Sequence, residues 1–532
     1  MKRRSFLKTA ALGSSTVALP ASFSLPFLAN KAYAYSPTYA NANISAPAVM
    51  PQVINIFLYG GASELAGNLT NMAQNGMGDT GTNNSINTNS KNSYSDGNAF
   101  GGNILLKRTD NPNGEITANG CWYSAGGAFM ENMLSSADMN LYRTIYKQKS
   151  PTQSHRESIF MSHKGALDIE NAPGVGTRLA LMINSNFSSY KSTTFADGDP
   201  MPSDANGFVL PFVSFEGNST SYALDPENTM PLNLRGITMD NQFNNPYTRG
   251  DLTSSETAIN AMAQNVIASQ QSQYNGVWSA LNKRAELADR MTSLSALLSD
   301  DNLPVVPGGV NTSNDISLHS DFGHNLLSTD SRLQYPNTGF AQRLKAAVTL
   351  MLHNPQTLYA TVGTDGLGGW DDHNNGIDRD GYRRRMLRVM QAIDVAMKHI
   401  KWAGRNGITT LGGKTRTNTS NIIINVMGDF GRRVNLNDSG GWDHGNNQNL
   451  YTFGGAGISS RRALGNVIGE TIRAGQTGTN NQYTVPDNGS KTWEPMSVAA
   501  STYRYFGATN PHIMTADPTY NPQGDKTLED ES

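Results

Sequence analysis

The segment Val53–Gly61, reading VINIFLYGG, is a nearly continuous apolar run stopped by two glycines. A strand without polar alternation has no face to give to water. The run therefore predicts a strand covered on both sides, as in parallel sheets sandwiched by helices. A second run of this kind, Ile422, Ile423, Ile424 and Val426, leads through Met427 and Gly428 into Asp429.

The last third of the chain sets such runs in alternation with helical patterns. GFAQRLKAAVTLML predicts a helix and TLYATVG a strand ending at glycine. RRRMLRVMQAIDVAMKHIKWA places Met386, Met390, Ile393, Met397 and Ile400 on one helical face, and NIIINVMG is the next strand. Helix, strand, helix, strand predicts an α/β fold with a mostly parallel central sheet flanked by helices. In such sheets functional groups gather at the carboxyl ends of the strands.

Other stretches are less regular. Residues 67–102 are dominated by Asn, Ser, Thr and Gly and predict a long polar loop. Residues 190–315 read as a second insertion, with GFVLPFVSFEG its most strand-like part and one or two helices from Ala258 to about Leu298. A helix is expected from about Gly176. At 532 residues, 37% hydrophobic and 16% charged, the chain suits one large core carrying polar insertions.

The first 34 residues read as an export signal. Arg3 and Arg4 precede Phe6, Leu7 and Lys8; a weakly apolar stretch follows, and AYA at Ala32–Ala34 is a small-x-small cleavage site. The arginine pair points to the twin-arginine translocase and to a periplasmic or secreted product. Gly13, Pro20 and Pro26 interrupt the stretch, so no stable membrane span is expected. Beyond residue 34 there are 36 basic and 43 acidic residues, a net of about −7, which argues against nucleic-acid partners. Cys121 is the only cysteine and cannot form an intrachain disulfide.

Polar clusters recur at the predicted strand ends. Asp371, Asp372 and His373 follow one strand; Asp429, Arg432 and Arg433 follow another, with Asp443 and His444 one loop later. Ser162, His163 and Asp168 lie in FMSHKGALD. Carboxylates together with imidazoles suit a divalent metal such as Zn, Mn, Mg or Ca. Arg432 and Arg433 would match an anionic substrate, because a guanidinium pairs with two oxygens at once. Any one Asp-His pair is also what a capped turn looks like; the recurrence at several strand ends favours a shared site. Asp429-Phe430-Gly431 lacks the companion loops of a kinase and is not read as one.

At these residues the chain resembles a known family, the twin-arginine-exported proteins of domain of unknown function 1501, whose fold is related to the alkaline phosphatase and sulfatase superfamily. A GGxDxxN-like turn is matched in part by Gly60, Gly61 and Ser63. A SHFxAQDxxE-like segment is matched by Ser162, His163, Ala166, Asp168 and Glu170. Tyr335 and Pro336, then Gly368, Gly369, Asp371 and His373, match a YP and GGFDTH pattern. Phe430, Gly431 and Arg432, then Asp443, His444 and Gly445, match SEFGR and a GTDHG-like turn. Where the family has an aspartate in its first turn, this chain has Ser63 beside Glu64, and the glutamate of SEFGR is Asp429.

The resemblance implies an alkaline-phosphatase-like sheet with Asp371, His373, Asp429 and His444 as metal ligands and Asp443 as ligand or support. It also implies a hydroxyl nucleophile beside the metal, for which Ser162, next to His163, is the candidate. Together these expectations describe an exported metal-dependent hydrolase of phosphate or sulfate esters, on a small molecule or a polymer, with Arg432 holding the anion. The alternative expectation is a periplasmic or cell-surface binding or assembly protein that keeps the fold without catalysis.

Overall fold

The computed structural model describes residues 39–62, 125–225, 234–244, 254–269, 287–306, 331–374, 382–436, 442–474 and 483–530, with a few shorter pieces between them. The N-terminal signal, residues 67–102, and Ser63 with Glu64 lie outside the described residues.

The two apolar runs become neighbouring central strands. Strand β1 (Gln52–Leu58) pairs in parallel with β6 (Ile422–Gly428) on one side and with β5 (Tyr359–Gly363) on the other. The other strands of the two larger sheets are β2 (Met139–Tyr146), β3 (Phe212–Ser214), β4 (Ile237–Thr238), β7 (Gly431–Leu436), β8 (Trp442–Gly445), β9 (Asn447–Gly454), β10 (Val467–Ile468), β11 (Thr471–Ala474) and β12 (Tyr483–Pro486). Eight of these form one sheet in the order β10-β2-β9-β6-β1-β5-β3-β4. Only β9 runs against its neighbours, so the sheet is mixed but mostly parallel. A smaller sheet, β8-β7-β12-β11, grows from the end of β6.

Helices cover both faces, as continuous apolar strands require. The numbered helices are α1 (Gly127–Ser135), α2 (His155–Lys164), α3 (Val175–Ser185), α4 (Ser254–Ser269), α5 (287–297), α6 (Gly339–His353), α7 (Tyr382–Asn406) and α8 (Met496–Tyr505). Ile54 and Ile56 of β1 pack with α1, α6 and α7 on one face, whereas Val53 packs with α3 and α8 on the other. In α7 the five expected residues, Met386, Met390, Ile393, Met397 and Ile400, are all buried. Their spacing gives the helix the apolar stripe that seats it on the sheet.

Residues 190–315 are not merely an insertion. Their strand-like segment supplies β3, which pairs with β5 inside the main sheet, and β4 continues beyond it. Three residues sufficed for β3 because its partner holds the ladder, a context the segment itself does not carry. Among the described residues no helix is long and apolar enough to cross a membrane.

The register matters most for function. Leu58 of β1 lies opposite Gly428 of β6, and Phe57 lies opposite Gly363 of β5. Three parallel strands therefore end level, and the loops after them leave from one edge of the sheet.

Candidate metal centre

Asp429 follows β6 at that edge and is fully buried. Its Oδ1 accepts backbone N–H bonds from Gly60 at 2.9 Å and Gly61 at 2.8 Å, in the turn after β1. That turn needs glycine. Gly60 has φ +122°, and a Cβ there would stand 2.4 Å from the Asp371 nitrogen. The other oxygen, Oδ2, lies 2.6 Å from His155 Nδ1. Asp429 thus has both oxygens in hydrogen bonds, one to the turn after β1 and one that orients the His155 ring, and it is not among the three residues whose donor atoms cluster.

His155 is the first residue of α2, whose N-cap Ser154 accepts from the Glu157 nitrogen. Its Nε2 is buried with no hydrogen-bond partner and lies 3.4 Å from Asp371 Oδ1. Asp371 comes from the loop after β5, and His444 Nε2 approaches the same oxygen at 3.5 Å. His155, Asp371 and His444 each offer one ligand atom, and these atoms lie within 4.8 Å of one another. Ligands held tetrahedrally at ~2.1 Å from one zinc-like ion stand about 3.4 Å apart, so these spacings suit a single ion.

His373 stands beside this group, with Nε2 at 3.1 Å from Asp371 Oδ1 and at the hydrogen-bond distance of 2.8 Å from His444 Nε2. The second ring nitrogens decide what these atoms can do. His155 Nδ1 faces a carboxylate, His373 Nδ1 faces Asp443 Oδ1 at 3.2 Å, and His444 Nδ1 faces the Gln153 carbonyl at 2.9 Å. Each partner is an acceptor, so each Nδ1 carries the proton and donates it. In the neutral rings every Nε2 then presents a lone pair. The His155 and His444 nitrogens and the Asp371 carboxylate oxygen, gathered within 4.8 Å, are a donor set of the kind that a divalent metal takes.

Electrostatics act on the two rings in opposite senses. The hydrogen bond to Asp429 raises the His155 pKa against the opposing effect of burial. Burial, with help from Arg432 and the two neighbouring imidazoles, pushes His444 down to about 4 and keeps it neutral. Burial pushes the Asp371 carboxyl up, but Arg432 outweighs it and holds the group below its ordinary value. The Phe430 ring packs beneath His155 and His444, with centroids 4.7 and 4.3 Å away.

Arg432 is a clasp, not an anion hand. Its Nε donates to the Gly61 carbonyl at 2.9 Å and its Nη1 to the Trp442 carbonyl at 2.8 Å. Its Nη2 reaches the Gly60 and Trp370 carbonyls and Asp371 Oδ1, the last at 2.7 Å. The guanidinium is buried and ties together the loops after β1 and β5 and strand β8. Nor is His444 carried by a loop. It lies on β8, directly opposite Arg432 across an antiparallel pair.

The structure does not bring Ser162 and His163 into the cluster. They sit at the other end of α2, seven or more residues from His155, or roughly 10 Å along the helix axis. Ser162 lines a small cavity with His163, Ser221 and Tyr359. His163 is bonded to Ser221 Oγ at 2.7 Å and to the Tyr59 hydroxyl at 3.2 Å, and burial lowers its pKa. Asp168 accepts from Asn171 within its own turn, and Glu170 pairs with Arg156.

Sequence reasoning missed two residues of the centre. His155 could have been found from Ser154-x-x-Glu157, the spacing of a capping box that marks the start of a helix at a loop junction. Lys147 gave no signal. Its buried ammonium donates to the Thr152 carbonyl and to Ser158 Oγ, holding the loop that presents Gln153 and His155. Burial brings its pKa down to about 8.

No family model matches the chain. No curated protein matches it either.

Proposed function

We propose that this chain is a metal-dependent hydrolase of phosphate or sulfate esters, exported by the twin-arginine route to which Arg3 and Arg4 point. The observation that carries the reading is the convergence of His155, His373 and His444 Nε2 on Asp371 Oδ1 at the carboxyl edge of the sheet. A donor set rich in imidazole favours Zn over Mg or Ca. Bound there, such an ion supplies Lewis-acid polarisation of a phosphoryl or sulfuryl oxygen and acidifies water. Asp429, Asp443 and the Gln153 carbonyl keep the Nδ1 protons in place, and Asp371, with its side chain 47% exposed, opens the group to solvent. With Ser162 turned into another cavity, water provides the attacking oxygen in this reading.

One observation favours the second reading, a binding or assembly protein that holds a metal without turnover. The sequestration of Arg432 removes the arginine expected to grip an anionic ester. Elemental analysis of the purified protein, wild type and His444→Ala, tests the centre itself. Metal near one equivalent that the variant loses supports it, and no metal in either sinks it. Turnover of a panel of phosphate and sulfate monoesters then separates the two readings.

A further inference from the structure

The loop that delivers His155 is not held by the sheet. Residues 147–154, between β2 and α2, belong to no strand or helix, yet the Gln153 carbonyl meets His444 Nδ1 at 2.9 Å. Lys147 pins the second half of the loop, donating to the Thr152 carbonyl and to Ser158 Oγ. The first half is pinned from far along the chain. Glu494 Oε1 accepts from the Gln148 and Lys149 nitrogens at 3.0 and 2.9 Å. The Lys149 ammonium donates to Asn521 Oδ1 at 2.9 Å, to the Gly524 carbonyl at 2.8 Å and to Asp525 Oδ1 at 2.8 Å. An ammonium has three protons to donate, and here each has an acceptor.

Segment 515–530, which supplies these acceptors, is knit to itself and to α8. Asp517 Oδ1 accepts from the Asn521 nitrogen at 3.1 Å, and Asn521 Nδ2 donates to Asp525 Oδ2 at 2.6 Å. The Asp525 nitrogen donates to Thr515 Oγ1 at 2.7 Å. Gly524 has φ +67°, and a Cβ there would stand 1.9 Å from the His512 carbonyl oxygen, so the turn that aims its carbonyl at Lys149 requires glycine. Beyond this cage the Leu528 nitrogen donates to Ser501 Oγ at 2.7 Å, and the Tyr505 hydroxyl donates to Glu529 Oε1 at 2.6 Å. Trp493 Nε1 donates to the Thr527 carbonyl at 3.0 Å. Asp517, Asn521 and Asp525 are buried, and Lys149 provides the ion pair that a buried Asp525 requires.

We propose that segment 515–530 is a latch on the metal centre, with Lys149 as the positioning residue that sets the Gln153 carbonyl against His444. Gln153 is four residues beyond Lys149, at most about 14 Å of chain. Pro151 lies between them and restricts the backbone, so a displacement of Lys149 is passed on to Gln153. The effect of the latch on the His444 ring is independent of any ion; its effect on metal affinity rests on the proposed centre.

The test uses the full-length protein, wild type and two variants. Lys149→Met keeps the aliphatic stem and removes the ammonium, and Asp525→Asn weakens the cage from the other side while keeping its shape. After chelation, ring-nitrogen chemical shifts report which nitrogen of His444 carries the proton. Wild type should carry it on Nδ1, and both variants should shift part of the population to Nε2. Competition with a chromophoric chelator should show zinc affinity at least about fivefold weaker in each variant. The double variant should be no weaker than Lys149→Met alone, because both changes cut one contact. Wild-type ring shifts in both variants would overturn the latch, whatever their stability. Should Lys149→Met fail to fold, Asp525→Asn carries the same decision. A wild type that binds no zinc would remove the metal centre and leave the His444 shifts to decide the latch.

Discussion

His155 Nδ1 stands 2.6 Å from Asp429 Oδ2, and this contact fixes which nitrogen of the ring faces Asp371. Asp429→Asn keeps the shape and still lets Oδ1 accept from Gly60 and Gly61, but it removes the carboxylate that holds the proton on Nδ1. Metal affinity should fall about 10–100-fold, as for other partners that orient a ligating histidine. Competition with a chromophoric chelator measures it. An unchanged dissociation constant would show that the pair does not set the tautomer.

Arg432 should matter more for stability than for recognition of substrate. Its guanidinium joins four backbone carbonyls and Asp371 from a fully buried position. Arg432→Ala leaves those acceptors unsatisfied and should cost about 3–5 kcal/mol. Urea unfolding gives the value, and a loss below about 1 kcal/mol would contradict the role of a clasp.

Ser162→Ala should leave metal content and ester turnover within about twofold of wild type, since the hydroxyl lines a cavity apart from the cluster. A fall of roughly 100-fold or more in kcat would return the serine to the role of nucleophile.

Glu494 offers a pH-dependent test outside the centre. Its Oε1 accepts from the Gln148 and Lys149 nitrogens, yet burial pushes its pKa from 4.5 up to about 7. Between those values the unfolded chain has lost a proton that the folded protein keeps. The contribution of this group to stability is therefore present below pH 4.5 and declines until about pH 7. Glu494→Gln keeps the acceptor oxygen and removes the titration. It should gain on wild type across that window, by up to about 3 kcal/mol at neutral pH. Parallel pH dependences for the two proteins would refute the shift.

Much of the fold was legible because burial leaves a direct mark on composition. The runs at Val53 and Ile422 became the two central strands, and the methionine stripe of α7 became its buried face. The short β3 was less legible, since three residues show little period and a partner strand decides whether they pair. At the centre, Asp371, His373, Asp443 and His444 were visible as polar residues placed after apolar strands. Asp429 and Arg432 were visible too, but their tasks were not. A carboxylate and a guanidinium read the same in sequence whether they meet a metal, a ligand or the backbone of another loop.

By itself the sequence determined the alternation of strands and helices and the kinds of donor that reach the sheet's carboxyl edge. Only the tertiary structure decided which donors meet. His155 joins His444 and Asp371 across 216 and more residues of chain, and Ser162, on the same helix, does not. The physical reason is directional: a helix sends residues along its length to different places, and a lone pair is available only where another group holds the ring's proton.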